Sequence, residues 1–216
     1  MRFAFLAYNN MEELDLMGPW EFIAYLKSTG RIDDCFIVAE HPGDLQCAKG
    51  LVIRPHYTFE DCPAMDCILV PGGRGSRTEL KNPVFLDFLR ENGNACDHVL
   101  SVCTGAFLLA AAGFLEGKSA TTYWSMLGAL GKFGNIQVVE ERFVRDGNIW
   151  TSAGVSAGMD LVLAFIREVL GEEAAEEVQF GTEFYPDRPI YGSPEKRKGA
   201  PAYLKREIAR RTGEGD

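Results

Sequence analysis

The chain has 216 residues, of which 46% are hydrophobic and 25% are charged, and its net charge is −9. These values are typical of a single α/β domain that is large enough to bury a sizeable core. The acidic balance argues against nucleic-acid binding, which needs clustered lysine and arginine, and no stretch reaches the roughly 18 consecutive apolar residues of a membrane span.

Apolar runs bounded by turn residues alternate along the chain with segments of helical periodicity. The predicted strands lie at residues 2–8, 34–40, 66–70, 97–102 and 119–123, with hairpins over 46–55 and 142–151. The predicted helices lie at 18–28, 78–92, 104–115, 125–132, 155–170 and 172–180. Gly18-Pro19 is predicted to open the first helix, because proline is favoured in a first helical turn. Asp146-Gly147 is a strong turn signal for the second hairpin.

This order of elements predicts a mostly parallel sheet with helices on both faces. Residues 1–185 are predicted to form one domain, and residues 186–216 an arm leading to a helix that packs on this domain or at a dimer interface. Ligands of parallel sheets bind beyond the carboxyl ends of the strands. Asp15, Gly72-Gly73 and Cys103 follow such ends, so we expect them to meet in one crevice.

Cys103 is the leading candidate for a reactive group. It ends an apolar run and precedes Thr104 and an Ala/Leu-rich helical segment, so a sharp strand-to-helix turn would place its sulfur beside a helix N-terminus. Free N–H groups and the helix dipole favour an anion there, which lowers a thiol pKa and produces a nucleophilic thiolate. The alternative is a small buried hydrophobic residue.

Asp15 is the candidate acid. It lies between two leucines just after the first strand, and burial there would raise its pKa, so that it could donate a hydrogen bond to a thiolate and transfer a proton. The alternatives are a helix cap, for which Gly18 is better placed, or a solvated loop acid. Gly72 and Gly73 could bring backbone N–H groups close to a ligand and form an anion pocket with the N–H of Thr104, or could form only a turn.

The histidines His41, His56 and His98 are not placed by the sequence as partners of Cys103, since His98 opens the strand that Cys103 ends. This disfavours sites that need a Cys–His pair. The six cysteines show no CxxC pair and no zinc spacing, and the first eight residues form too short an apolar run for a signal peptide. We therefore expect a location in the reducing cytoplasm.

The chain resembles the ThiJ/PfpI superfamily over nearly its whole length, and within it the isocyanide hydratases. The matching segments include Leu14-Asp15-Leu16-x-Gly18-Pro19, Phe59-x-Asp61-Cys62-Pro63, Pro71-Gly72-Gly73, Ser101-Val102-Cys103-Thr104-Gly105, Gly117-Lys118-x-Ala120-Thr121-Thr122-x-Trp124 and Arg142-x-Val144-Arg145-Asp146-Gly147-Asn148. The resemblance implies a flavodoxin-like α/β sandwich whose nucleophile elbow carries Cys103, with Asp15 as the acid beside it and Thr104 supplying a backbone N–H and a polar side chain. It also implies that Gly72 and Gly73 line the pocket, that the protein is a homodimer, and that it needs no metal or organic cofactor.

One segment departs from this pattern, because relatives often carry histidine where this chain has Tyr123. Tyrosine has a pKa near 10 and is a poor base at neutral pH. Tyr123 and Trp124 are expected to line an apolar pocket for a small-molecule substrate, with core packing as the alternative.

The hypothesis that follows is hydration of an isocyanide to an N-substituted formamide through a covalent thioimidate on Cys103. The alternative is a non-enzymatic sensor, in which a small molecule fills the pocket or Cys103 oxidises. A third hypothesis, a thiol hydrolase or a glyoxalase-like enzyme, is disfavoured because Thr104, and not histidine, follows Cys103.

Overall fold

The computed structural model describes residues 1–186 and 190–212. The strands are β1 (Arg2–Leu6), β2 (Asp34–Ala39), β3 (Leu45–Gln46), β4 (Val52–Ile53), β5 (Tyr57–Thr58), β6 (Cys67–Val70), β7 (His98–Val102), β8 (Ser119–Ala120), β9 (Gln137–Val138), β10 (Phe143–Asp146) and β11 (Ile149–Ser152). The helices are α1 (Glu13–Ser28), α2 (Ser76–Glu79), α3 (Pro83–Ala95), α4 (Gly105–Ala111), α5 (Leu127–Leu130), α6 (Ala157–Leu170), α7 (Glu172–Thr182) and α8 (Ala202–Thr212), with 3₁₀ turns at Trp124–Met126 and Pro194–Lys196.

Seven of the strands form one sheet in the order β10-β11-β7-β6-β1-β2-β5. Neighbouring strands are parallel except for β10 and β11, which form the hairpin predicted around Asp146-Gly147. The central strands β6 and β7 are buried along nearly their whole length, as is usual when both faces of a parallel sheet are covered. The predicted fold class is confirmed, and the β3–β4 pair confirms the hairpin predicted over 46–55.

The direction of the strand order reverses between β1 and β6. The chain runs from β1 outward to β2, and later moves outward on the other side through β6, β7 and β11. Helices α1, α6 and α7 pack against one another on one face, and α2, α3 and α4 pack together on the other. Such a reversal opens a crevice beyond the carboxyl ends of the two strands. The loops that follow β1 and β6 meet there, because the Tyr8 hydroxyl donates to the Pro71 carbonyl oxygen at 2.6 Å.

Helix α1 begins at Glu13, so the prediction that Gly18-Pro19 opens it is wrong. Glu13 and Asp15 place negative charge in the first turn, where the helix dipole favours it. Pro19 lies inside the helix and donates no hydrogen bond to the preceding turn. A Cβ on Gly18 would lie 2.8 Å from Met159 Cγ, so this glycine allows α1 to pack closely on α6.

Other boundaries also differ from the prediction. The helix predicted over 78–92 is divided into α2 and α3, because Pro83 disfavours a helical conformation at Asn82, whose side chain then caps α3. The helix predicted over 104–115 ends at Ala111, shortly before Gly113 adopts a φ of +92°. The strand predicted over 119–123 shrinks to β8, and the helix predicted over 125–132 is a 3₁₀ turn followed by α5. Strands β5 and β9 were not predicted, since two residues carry no periodic signal.

The C-terminal segment after α7 contains residues 190–201, here called the arm, and helix α8. The prediction for this segment also covered residues 187–189 and 213–216, which lie outside the described residues. Helix α8 contacts the chain just before β10, where Arg206 forms an ion pair with Glu141 at 2.5 Å and the Ala202 N–H donates to Glu140 at 2.6 Å. None of the described helices is long and apolar enough to cross a membrane.

Candidate active site

Cys103 forms the turn between β7 and α4. Its φ of +57° lies in the left-handed region, which costs a residue with a side chain roughly 1–3 kcal/mol. Its backbone N–H donates to the carbonyl oxygens of Ser152 at 3.1 Å and Ala153 at 3.3 Å, where β11 ends. The neighbouring strand therefore holds the strained turn, and the chain contains the strand-to-helix elbow that the sequence predicts.

Thr122 makes a second contact to this elbow. Its hydroxyl donates to the Cys103 carbonyl oxygen at 2.7 Å, and the residue is fully buried. Thr122 belongs to the segment around Gly117 and Thr121 that matches the superfamily, but local sequence patterns predict no role for it, because nothing along the chain places that segment beside Cys103.

The Cys103 side chain is almost completely buried, with 7% of its surface exposed. Burial raises the pKa of the thiol, and the charge of Asp15 raises it further, while hydrogen bonds from the Thr104 N–H and side chain act in the opposite direction. Helix α4 has only seven residues and a correspondingly weak dipole. The expectation that the elbow lowers the pKa of Cys103 is therefore wrong, because desolvation outweighs the helix N-terminus.

Asp15 lies in the first turn of α1 and is fully buried. Its Oδ2 accepts the Gly72 N–H at 2.8 Å and its Oδ1 accepts the Val155 N–H at 3.2 Å, and the carboxyl and the Cys103 thiol influence each other's pKa. Burial raises its pKa to about 7, although the two backbone N–H groups favour the charged form. The predicted burial and the predicted direction of the shift both agree with the structure.

Asp15 and Cys103 titrate as a pair, because two negative charges in contact at a buried site repel each other. The pair loses its first proton near pH 7, and the second proton is held to much higher pH. Above neutrality the two groups thus share one proton and one negative charge. This arrangement can generate a thiolate only by leaving the shared proton on the carboxyl.

Gly72 is held from both sides by the chain that follows β1. Its N–H donates to Asp15, and its carbonyl oxygen accepts from the Glu12 N–H at 2.9 Å and the Tyr8 hydroxyl at 3.1 Å. A Cβ at this position would lie 2.4 Å from the Thr104 nitrogen and 2.9 Å from Asp15 Oδ2. Only glycine allows this approach, and Tyr8 is a supporting residue that no local sequence pattern predicts.

The predicted anion pocket is wrong in its composition. The Gly72 N–H is bound by Asp15, and the Gly73 N–H donates to Thr104 Oγ1 at 2.9 Å, so neither faces a ligand. Ser76 adds a hydroxyl 3.1 Å from Thr104 Oγ1. The two glycines therefore orient Asp15 and Thr104, and the Thr104 N–H favours the charged form of the Cys103 thiol.

Tyr123 and Trp124 occupy different positions relative to this site. The Tyr123 ring packs on Gly154, where a Cβ would lie 2.3 Å from its Cδ2, and Gly154 precedes the Val155 that binds Asp15. Trp124 is 38% exposed and lines a cavity with the arm. The structure thus brings Tyr123 to the edge of the site, and Trp124, whose ring centroid is 5.7 Å from that of Tyr123, to the neighbouring cavity.

The histidines lie away from the elbow. His98 stands at the opposite end of β7 and contacts the Phe165 ring, and His56 accepts the Ile37 N–H and stacks on Trp20. Among the described residues no group of three His, Cys, Asp or Glu side chains could hold a metal ion.

A family model described as the DJ-1/PfpI family matches residues 1–168. The chain belongs to the DJ-1/PfpI family. It is 37% identical over 201 residues to the isonitrile hydratase of Pseudomonas putida, a match that covers 93% of this chain and 86% of that protein. The crystal structure of a ThiJ/PfpI family protein from Pseudomonas syringae matches with a TM-score of 0.82 and 34% identity, covering 99% of this chain and 86% of that one.

DJ-1/PfpI membership does not define one activity. The HTH-type transcriptional regulator GbdR of Pseudomonas aeruginosa is 32% identical over 61% of this chain, and the match covers only 36% of the regulator. Isonitrile and isocyanide name the same functional group, so the similarities confirm the resemblance inferred from the elbow and from the segment around Asp15.

Proposed function

We propose that this chain hydrates an isocyanide, R–N≡C, to the formamide R–NH–CHO, with Cys103 as the nucleophile and Asp15 as the group that moves protons. The observation that carries the proposal is the fully buried carboxyl of Asp15 beside the elbow, where a Cβ on Gly72 would lie 2.9 Å from Asp15 Oδ2 and 2.4 Å from the Thr104 nitrogen. The likeness to an isonitrile hydratase supports the same reaction class.

The first step uses the singly protonated pair. The Cys103 sulfur attacks the terminal isocyanide carbon and forms a C–S bond, which leaves the shared proton on Asp15. The carboxyl then delivers this proton to the same carbon. The product is a thioimidate, R–N=CH–S–Cys103, with Asp15 ionised. A proton donor beside the nucleophile suits this step, because the isocyanide carbon gains both the sulfur and a proton.

The second step consumes water. Water adds to the thioimidate carbon, Asp15 takes one of its protons, and the nitrogen receives a proton from the carboxyl. The intermediate R–NH–CH(OH)–S–Cys103 collapses, the C–S bond breaks, and the hydroxyl proton moves to Asp15 as the formamide leaves. One carboxyl thus serves as acid and base in turn, so the sequence of steps needs no histidine.

The test follows formamide by mass spectrometry after incubation with benzyl isocyanide in ¹⁸O-labelled water. We expect labelled N-benzylformamide from the wild type, none above background from Cys103→Ala, and an unchanged rate from Cys62→Ala, which removes a half-buried thiol outside the site. Absence of product from the folded wild type, or equal product from Cys103→Ala, would reject the proposal.

A ligand sensor is the second candidate, and the burial of Cys103 is the observation that favours it. Burial raises the pKa of this thiol. A sensor that only binds a small molecule in its pocket needs no ionised sulfur. The same property disfavours the redox form of this hypothesis, since selective oxidation requires thiolate character. A small molecule that raises Tm without being converted would support the sensor.

We further propose a homodimer located in the cytoplasm. All six cysteines are free, which suits a reducing compartment. Exposed Leu51 and Val52 lie at the β3–β4 hairpin, and this hairpin contacts the start of α1 through Lys49 N–H and Glu13 Oε1 at 2.5 Å, close to exposed Leu14. An apolar patch of this kind suits a second copy of the chain. Light scattering should give twice the chain mass for the wild type and the chain mass for Val52→Asp, while a monomeric wild type contradicts the dimer.

A further inference from the structure

A cavity of about 630 Å³ separates the arm from the body of the protein. One wall is Trp124 and Arg142, and the other belongs to the arm and the start of α8. The described lining residues are Trp124, Arg142, Pro194, Arg197, Lys198, Gly199, Ala200, Pro201, Tyr203 and Leu204. The arm lies beyond residues 1–168, the part of the chain that the family model matches.

The charge of this cavity is opposite to that of the protein. Its charged lining residues are Arg142, Arg197 and Lys198, in a chain whose net charge is −9. Arg142 is neutralised by Asp160, to which its Nε donates at 2.5 Å. Arg197 and Lys198 form no ion pair within the described residues, so their two positive charges are uncompensated beside an apolar wall.

The cavity adjoins the candidate active site through two connections. Arg142 Nη2 donates to Ser156 Oγ at 3.3 Å, next to the Val155 whose N–H binds Asp15. On the other side, Trp124 directly follows Tyr123, the residue at the edge of the site, and their ring centroids are 5.7 Å apart.

The arm is fitted closely to Trp124. Gly199 has a φ of +80°, and a Cβ there would lie 2.8 Å from Trp124 Cζ3. Lys198, which precedes Gly199, lines the same cavity. The geometry therefore combines an aromatic ring with two cations that have no ion-pair partner among the described residues.

We propose that this cavity receives the substituent R of the substrate and selects isocyanides whose R joins an aromatic or apolar group to a carboxylate. This inference rests on the proposed function. Arg197 and Lys198 attract the carboxylate, and the Trp124 ring and Leu204 contact the apolar part. The isocyanide carbon must then reach Cys103 past Tyr123, whose ring packs on Gly154 at the edge of the site.

The test compares benzyl isocyanide with 4-(isocyanomethyl)benzoate as substrates. We expect the wild type to prefer the carboxylate substrate by roughly ten-fold or more in kcat/KM, and this ratio to fall as salt rises. The double variant R197Q/K198Q should bring the ratio close to one. Lys196→Gln, which removes an arm charge that does not line the cavity, should leave the ratio at its wild-type value.

Equal kcat/KM for the two substrates in the wild type would overturn this inference while leaving the proposed function intact. A loss of preference in Lys196→Gln as large as that in R197Q/K198Q would do the same. Turnover of neither substrate would reject the proposed function and the substrate class together. Calorimetry with phenylacetate then examines the cavity alone: binding that is lost in R197Q/K198Q supports an anion site, and no binding to the wild type rejects it.

Discussion

The elbow around Cys103 and the cavity beneath the arm are close neighbours, yet they are built in opposite ways. At the elbow, buried hydrogen bonds fix the reactive residues: the Gly72 and Val155 N–H groups donate to the Asp15 carboxyl, and the Thr122 hydroxyl donates to the Cys103 carbonyl oxygen. At the cavity, side chains of the arm form one wall, and Arg197 and Lys198 form no ion pair within the described part of the chain. The difference indicates that the reacting atoms tolerate little change, whereas the surface that would recognise the substituent can be altered without disturbing them.

The substitution Gly72→Ala should have the largest effect. The added Cβ would meet the Thr104 nitrogen at 2.4 Å, so the loop after β6 must move and release Asp15. We expect formamide production to fall by at least about 100-fold, as displacements near 1 Å do, and the free energy of unfolding to drop by about 1–3 kcal/mol. Gly128→Ala, on α5 with nothing within 4 Å of the new Cβ, is the matched control and should change neither.

Asp15→Asn should remove proton transfer and lower the rate by roughly 10²–10⁴-fold. It also tests the pKa, which is about 7 in the folded chain and near 3.8 when unfolded. Between these values the folded state holds the extra proton, so wild-type stability should decline as pH rises from 4 to 7, by on the order of 4 kcal/mol.

The readout is chemical denaturation of both proteins at pH 5 and pH 8. The free energy of unfolding of D15N minus that of the wild type should be larger at pH 8 than at pH 5. If the difference between the two proteins is the same at both pH values, Asp15 does not have the raised pKa that its burial implies.

Thr122→Val should have a smaller effect, since it leaves the pair of reactive groups untouched. It removes a buried hydrogen bond of 2.7 Å to the elbow, which should lower stability by about 1–3 kcal/mol. Thr122→Ser keeps the hydroxyl and should recover most of this loss, measured as the midpoint of urea unfolding. A serine variant as unstable as the valine variant would contradict the assignment of the loss to this hydrogen bond.

Trp124→Ala should have the smallest effect on stability, within about 1 kcal/mol, because its side chain is partly exposed. Its consequence should be confined to substrate choice: the ratio of kcat/KM for benzyl over methyl isocyanide should decrease by several-fold. Phe180→Ala, which removes a more exposed aromatic that does not line the arm cavity, is the control and should keep the wild-type ratio. A loss of turnover with both substrates would mean that Trp124 belongs to the reacting site itself.

Local sequence signals determined most of the fold. The continuous apolar runs of β1, β6 and β7 and the turn at Asp146-Gly147 predict a parallel sheet with one hairpin at its edge, because periodicity and turn chemistry act over a few residues. The same signals were insufficient at Gly18-Pro19, where packing of α1 on α6 extends the helix back to Glu13. They also could not show that Thr122, Tyr8 and Val155 contact the site, since these contacts join distant parts of the chain.

The sequence by itself identified Cys103 at an elbow and Asp15 as a buried acid, because both depend on short apolar segments and their order. Only the tertiary structure decided the ionisation of this pair and the use of the Gly72 and Gly73 N–H groups. A pKa depends on how much water the whole fold removes and on which charges it brings into contact, and neither quantity is encoded by neighbours in the sequence. The arm cavity has the same origin: Trp124 and Arg197 are far apart along the chain and share a surface only after folding.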